Sequence, residues 1–146
     1  MKKTIGLILI AFAFISYLQG QNFTSSSLPI VVINTNGNTI EDDPKVAVDI
    51  GIIDNGPGNL NYLTDPYNAY NGHCGIEFRG NSTQGFDKKT YSIELWTSAG
   101  LDTSASILGL PKEEDWILHA NHVDKTFLRN SLSYHIWRKI GYWSSN

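Results

Sequence analysis

The densest set of cationic and small polar side chains lies in "GIEFRGNSTQGFDKKTYSIEL", residues 75–95. Arg79 can take a phosphate bidentately, and Lys88 or Lys89 can add a compact point charge. Ser82 and Thr83, with Asn81, supply short donors, and successive backbone amides in such a loop can form an anion nest. Gly80 and Gly85 let the backbone approach a ligand closely. Together these residues have the chemistry of a phosphate cradle. They equally make a hairpin loop with a solvated basic rim, and spacing leaves both readings open. Strand alternation sends Lys88 and Lys89 to opposite faces, so at most one points at a shared site. Lys89 falls on the side of Tyr91 and Ile93, the inner side, where a charge needs a partner.

A second set lies in "DWILHANHVDKTFLRN": Asp115, His119, His122, Asp124, Lys125, Arg129 and Asn130. His119, His122 and Asp124 are metal-ligand types, but their spacing fits no standard site, and we expect no metal there. Lys125 and Arg129 stand four apart on a predicted helix and would share a face, adding to the field at the hairpin loop. The plainer reading is solvated charge. His73 and Cys74 are adjacent, but no further ligands are spaced nearby. No Ser/His/Asp set carries a nucleophile elbow, and "GPG" at residues 56–58 lacks the Gly-Lys-Ser/Thr of a phosphate loop. Asp42 and Asp43 before Pro44 read as a surface turn. Asn22 and Asn81 begin N-glycosylation acceptor patterns, "NFT" and "NST". No catalytic residue is assigned.

Strands must position the first set. "LPIVVINT" (residues 28–35) is apolar and β-branched, a buried strand. "KVAVDIGIID" (45–54) alternates, with Val46, Val48, Ile50 and Ile52 on one face. Residues 55–72, "NGPGNLNYLTDPYNAYNG", are too rich in turn formers for a strand and too long for a tight turn; we expect a compact loop or insertion. "HCGIEFRG" (73–80), "TYSIELW" (90–96) and "DWILHA" (115–120) read as further strands, with Ile107, Leu108 and Leu110 docking the irregular stretch before the last. Residues 124–141 form the one clear helix. Asp124 is its N-cap, Phe127, Leu128, Leu132, Ile136 and Ile140 its apolar stripe, and Gly141 its stop. The predicted class is α+β: a mainly antiparallel sheet plus one C-terminal helix.

The chain has 146 residues with a formal net charge of -3. Met1-Lys2-Lys3, the apolar run over residues 5–18 and the small Gly20 follow the order of a secretory signal peptide, and the run is shorter than a spanning helix needs. We therefore expect residues 1–20 to be a signal peptide, residues 21–27 a flexible lead-in, and residues 28–146 the folded part. The protein is then secreted or held at the cell surface, with no membrane segment after cleavage. Losing Lys2 and Lys3 makes the acidic excess larger, which disfavours nonspecific nucleic-acid binding. Cys74 is the only cysteine, so no intrachain disulfide forms and the core must supply the stability.

The order "LPIVVINT", "KVAVDIGIIDNG", "YNGHCGIEFRGNSTQGFDKKTYSIEL", "ILGLPKEEDWILHA", "DKTFLRNSLSYHIWRKIG" resembles the N-terminal part of the CotH family, the spore-coat-type atypical protein kinases. The combination is specific, although each piece alone is weak. The resemblance implies a kinase-like small lobe and a nucleotide partner, with ATP and Mg as cofactors. It makes Lys89, or its neighbour Lys88, the strand lysine that meets the phosphates, and residues 79–83 the phosphate-side loop. It places the C-terminal helix where a kinase has its regulatory helix, yet no Glu lies between Asp124 and Gly141 to pair with the lysine. The family's metal-holding carboxylates and catalytic base belong to a later lobe, so the resemblance implies a fragment, inactive by itself, whose partner is that missing lobe. The protein substrate is unspecified. A non-catalytic binding module of the same fold, or an accessory domain of a surface hydrolase using the 55–72 loop as its contact surface, are the alternatives.

Overall fold

The computed structural model describes residues 22–142 and 144. The signal-peptide expectation for residues 1–20 lies outside these residues.

Seven strands and one helix are present among them: β1 (Ser25–Ser26), β2 (Ile30–Asn34), β3 (Val46–Ile53), β4 (Asn61–Tyr62), β5 (Tyr70–Phe78), β6 (Tyr91–Trp96), β7 (Asp115–Leu118) and α1 (Arg129–Lys139). A 3-10 turn occupies Ser82–Gly85. Five strands form one antiparallel sheet in the order β2-β3-β5-β6-β7, and β1 pairs with β4 beside it. This is the expected α+β arrangement.

Alternation builds the core. Val46 faces Ile76 across β3 and β5, Val48 faces Cys74, and Ile76 and Cys74 in turn face Ile93 and Leu95 of β6. Their side chains share one face, and Val48, Ile50, Ile52, Cys74, Ile76, Ile93 and Leu95 are buried there together with Ile107. Burying such aliphatic side chains stabilises by about 1.5–3 kcal/mol each before chain entropy is set against it. Leu110 is half-buried, while Leu108 stays 39% exposed, so only part of the expected docking contact forms. The opposite face carries charged pairs beside the buried Ile30 and Ile53. Lys45 Nζ meets Glu94 Oε2 at 2.7 Å, and that hydrogen bond, with Glu77 and Asp115 near, raises the lysine pKa.

Four expectations change in detail. Of the expected flexible lead-in, residues 24–26 are tied to the fold: β1 pairs with β4, and Leu63 N donates to Thr24 O at 3.0 Å. Sheet pairing recruits residues that propensity leaves as linker. β5 begins at Tyr70, because Ile52 and Ile50 of β3 pair with Tyr70 and Gly72; the loop is shorter by those residues. What remains of it is compact. Asn55 Nδ2 donates to Leu60 O and Asp65 Oδ2, Asn68 Nδ2 donates to Asn55 Oδ1, and the buried Asn61 accepts from Asn55 N and donates to Leu28 O. β7 ends at Leu118 rather than Ala120.

The largest change is at the helix. It starts at Arg129, not Asp124, because Phe127 has φ 57°, in the left-handed region that breaks a right-handed helix. Lys125 therefore lies before the helix, and its expected shared face with Arg129 does not form. None of the α1 residues is buried, and Leu132, Ile136 and Ile140 are 57%, 52% and 60% exposed. The apolar stripe read from the sequence exists but covers nothing in the sheet.

Candidate phosphate cleft

A cleft of about 250 Å³ lies between the β5–β6 loop and the segment joining β7 to α1. From the loop side it is lined by Thr83, Phe86, Lys88 and Thr90. From the other side come His119, Asn121, His122, Asp124, Arg129 and Asn130. The two sequence stretches singled out for their chemistry thus form opposite walls of one cleft.

Local structure sets each wall. The loop is tied to the sheet where Arg79 N donates to Thr90 O at 2.8 Å, and to the β2–β3 connection where Gln84 Nε2 donates to Asp42 Oδ1 at 2.6 Å. Gly80 has φ 88°, and a Cβ there would meet Thr83 Oγ1 at 2.4 Å, so glycine is required on both counts. Thr83 Oγ1 donates to Arg79 O at 3.1 Å, which spends that hydroxyl proton within the loop. The second wall is joined to the first by the Phe86 and His122 rings, stacked at 4.6 Å between centroids and 19° apart, and by Ala120 N donating to Thr90 Oγ1 at 3.2 Å.

The two lysines do separate to different surroundings. Lys89 Nζ donates to Gln84 O and stands 5.9 Å from the Phe78 ring, so its charge closes the loop on itself. Lys88 is exposed and lines the cleft, with its Nζ 4.8 Å from the Phe127 centroid. Among the described residues it has no hydrogen bond or ion pair. Arg129 is the second cation of the cleft; its Nε is 3.6 Å from Asp124 Oδ1, and its side chain is 79% exposed. Arg79, Ser82 and Lys125 are exposed and do not line the cleft.

Asp124 is the only carboxylate of the lining among the described residues. It accepts from Thr126 Oγ1 at 2.6 Å and from Arg129 N at 3.0 Å, and those bonds, the Thr126 one first, hold its pKa below the usual carboxylate range. So Asp124 does serve the first helical amide, but from outside the helix. The donor set fits a phosphate: two cations, two amide side chains and two imidazoles around one occupied carboxylate. It does not fit a magnesium ion, which wants carboxylate oxygens, and no group of three or more His, Cys, Asp or Glu that could hold a metal exists among the described residues.

Asn121, Phe86 and Thr90 escaped the sequence reading. Phe86 and Thr90 act through contacts with residues thirty or more positions away, a distance no local pattern reports. Asn121 sits in "HANH" and was hidden by the metal-type histidines around it.

Comparison with known proteins places both walls in one family pattern. No curated protein and no solved structure matches the chain. Residues 76–146 match the family model described as CotH kinase protein, a span that holds every lining residue of the cleft. Over that span, just under half of the chain, the sequence is CotH-like, as its motifs imply.

Proposed function

We propose that this chain is the nucleotide-phosphate-binding part of a secreted or surface CotH-like kinase, its sheet serving as the kinase-like small lobe. The observation that carries the reading is the convergence of Lys88 and Arg129 on one cleft within the family-matched span. Lys88, which among the described residues has no hydrogen bond or ion pair and touches only the Phe127 ring, supplies a point charge to a phosphate oxygen. Arg129, whose contact with Asp124 is long and exposed, turns its outer guanidinium edge to the same ligand. Asn121, Asn130 and the His119 and His122 rings add neutral donors. Lys89 holds the loop through Gln84, and Arg79 contributes long-range field.

ATP with Mg is the donor and cofactor that the family suggests. The metal would help neutralise charge on the phosphates during transfer. The cleft offers phosphate-binding groups but no carboxylate cluster for the metal, so the role of these residues is to bind and orient phosphate. Phosphoryl transfer to a protein hydroxyl would draw on groups outside the described residues. The signal-peptide order of Met1-Lys2-Lys3, the apolar run and Gly20 supports the surface reading, and N-terminal sequencing of extracellular protein should begin near Gln21.

The test is calorimetric titration of ATP, without and with magnesium, into the chain and its Lys88→Ala and Arg129→Ala variants. Saturable binding weakened by both substitutions supports the reading. Binding that neither substitution changes, or no binding by the parent chain at millimolar nucleotide, removes it.

A further inference from the structure

The sheet face opposite the core carries a groove remote from the phosphate cleft. One rung of the ladder runs Asn34, Asp49, His73, Trp96 across β2, β3, β5 and β6. On it His73 Nδ1 and Asp49 Oδ1 are 2.7 Å apart, and Asn36 Nδ2 donates to Asp49 Oδ2 at 3.0 Å. The groove opens to both sides of this pair, by about 470 Å³ toward Tyr67 and Asn71 and by about 340 Å³ toward Trp96.

Each side is floored by an aromatic ring laid on a glycine. A Cβ built on Gly51 would stand 2.5, 2.5 and 2.6 Å from Tyr67 Cγ, Cδ2 and Cδ1. Near-equal distances to those three atoms put the point close to the ring axis, so the ring lies face-down on the strand. A Cβ on Gly75 would meet Trp96 Cζ2, Cη2 and Cε2 at 2.3, 2.4 and 2.9 Å, so the six-membered part of the indole covers that glycine. Gly75 pairs with Ala47, four residues along β3 from Gly51, so the rings sit roughly 13 Å apart along the strands. Tyr67 is 41% exposed, which leaves a ring face to solvent.

We propose that this groove binds a neutral carbohydrate chain. The C–H faces of pyranose rings pack on exposed aromatic faces, which are apolar in the middle and polar at the edge. Between the platforms Asp49 is fixed by Asn36 and His73, so its remaining lone pairs are already oriented for vicinal hydroxyls. His73 Nε2 and the Asn71 amide make no hydrogen bond among the described residues and are open to the same ligand. No lysine or arginine lines either side, and the Asp49 charge opposes an anionic ligand. The spacing of the rings suits a short oligosaccharide stretch rather than a single sugar. Nine of the ten residues named, all but Trp96, lie before residue 76, outside the CotH match, so this site is separate from the phosphate reading.

The test is affinity electrophoresis of the full chain in native gels containing mixed-linkage β-glucan, mannan or xylan, with polygalacturonate as the anionic comparison. Retardation by at least one neutral polysaccharide and not by polygalacturonate is expected. Tyr67→Ala should weaken it about ten-fold, as loss of an aromatic anchor does, and Tyr67→Phe should keep it. Asn71→Ala, on an exposed side chain, should weaken it several-fold and carries the test if Tyr67→Ala fails to fold by circular dichroism. Unchanged mobility in every neutral gel, retardation by polygalacturonate alone, or retardation indifferent to the substitutions would each overturn the proposal.

Discussion

Lys88 Nζ lies 4.8 Å from the centroid of the Phe127 ring, joining the β5–β6 loop to the residue whose left-handed backbone delays the helix. An exposed cation held only by an aromatic face keeps its charge available, and the contact is worth only about 0.5–1 kcal/mol. By contrast, Lys89 is consumed by the Gln84 carbonyl.

This contrast separates the two lysines experimentally. Lys88→Ala should lower nucleotide affinity about ten-fold, the loss of one charge-assisted bond, with little change in thermal midpoint. Lys89→Ala should instead cost about 1 kcal/mol of stability through the loop, and weaken binding less. Paired calorimetric titration and thermal unfolding decide it; the opposite pattern would assign the phosphate to Lys89.

Acid should loosen the wall that Asp124 organises. Its pKa is depressed, so the carboxylate favours the folded turn above the ordinary aspartate range, and that contribution disappears as pH falls through the lower folded-state value. Amide exchange at Arg129 N, which the carboxylate accepts, should quicken at acid pH beyond the intrinsic pH trend. In Asp124→Asn that extra acid sensitivity should vanish.

Gly75 should not tolerate alanine. The added Cβ would stand 2.3 Å from Trp96 Cζ2, and overpacking of this kind costs about 1–3 kcal/mol. Denaturant titration should show the loss. Combining Gly75→Ala with Trp96→Ala should recover part of it, because the clash needs both side chains.

Cys74 should be inert while the protein is folded. Burial pushes its thiol pKa up to about 12, leaving almost no thiolate at neutral or mildly alkaline pH. A thiol reagent should label it only in denaturant; rapid labelling of the native protein would contradict its place in the core.

The apolar stripe of α1 should drive association. Leu132, Ile136, Trp137 and Ile140 are each about half exposed or more, and contiguous patches of this sort seek a partner. Sedimentation velocity should show concentration-dependent oligomers that Leu132→Glu with Ile136→Glu reduces. A monomer at all concentrations would show that the stripe is inert in solution.

The strands were legible in the sequence because alternation is a local property. Val46, Val48, Ile50 and Ile52 declare the inner face of β3 without reference to any other strand, and Ile76, Ile93 and Leu95 do the same for β5 and β6. The antiparallel α+β class and the CotH-like motifs followed from that order. The sequence also exposed the cations of the cleft, since charge and spacing are local too. It could not say which lysine lines the cleft, because Lys89 is claimed by a carbonyl whose position depends on the loop's path. Nor could it place the helix start: Asp124 has the chemistry of a cap, but Phe127 stands at φ 57°, a backbone turn that no local cap signal reports. The Asp49–His73 pair shows the same limit. Both residues point outward by alternation, yet only strand register makes them neighbours, and register is set by hydrogen bonds between segments far apart in the chain.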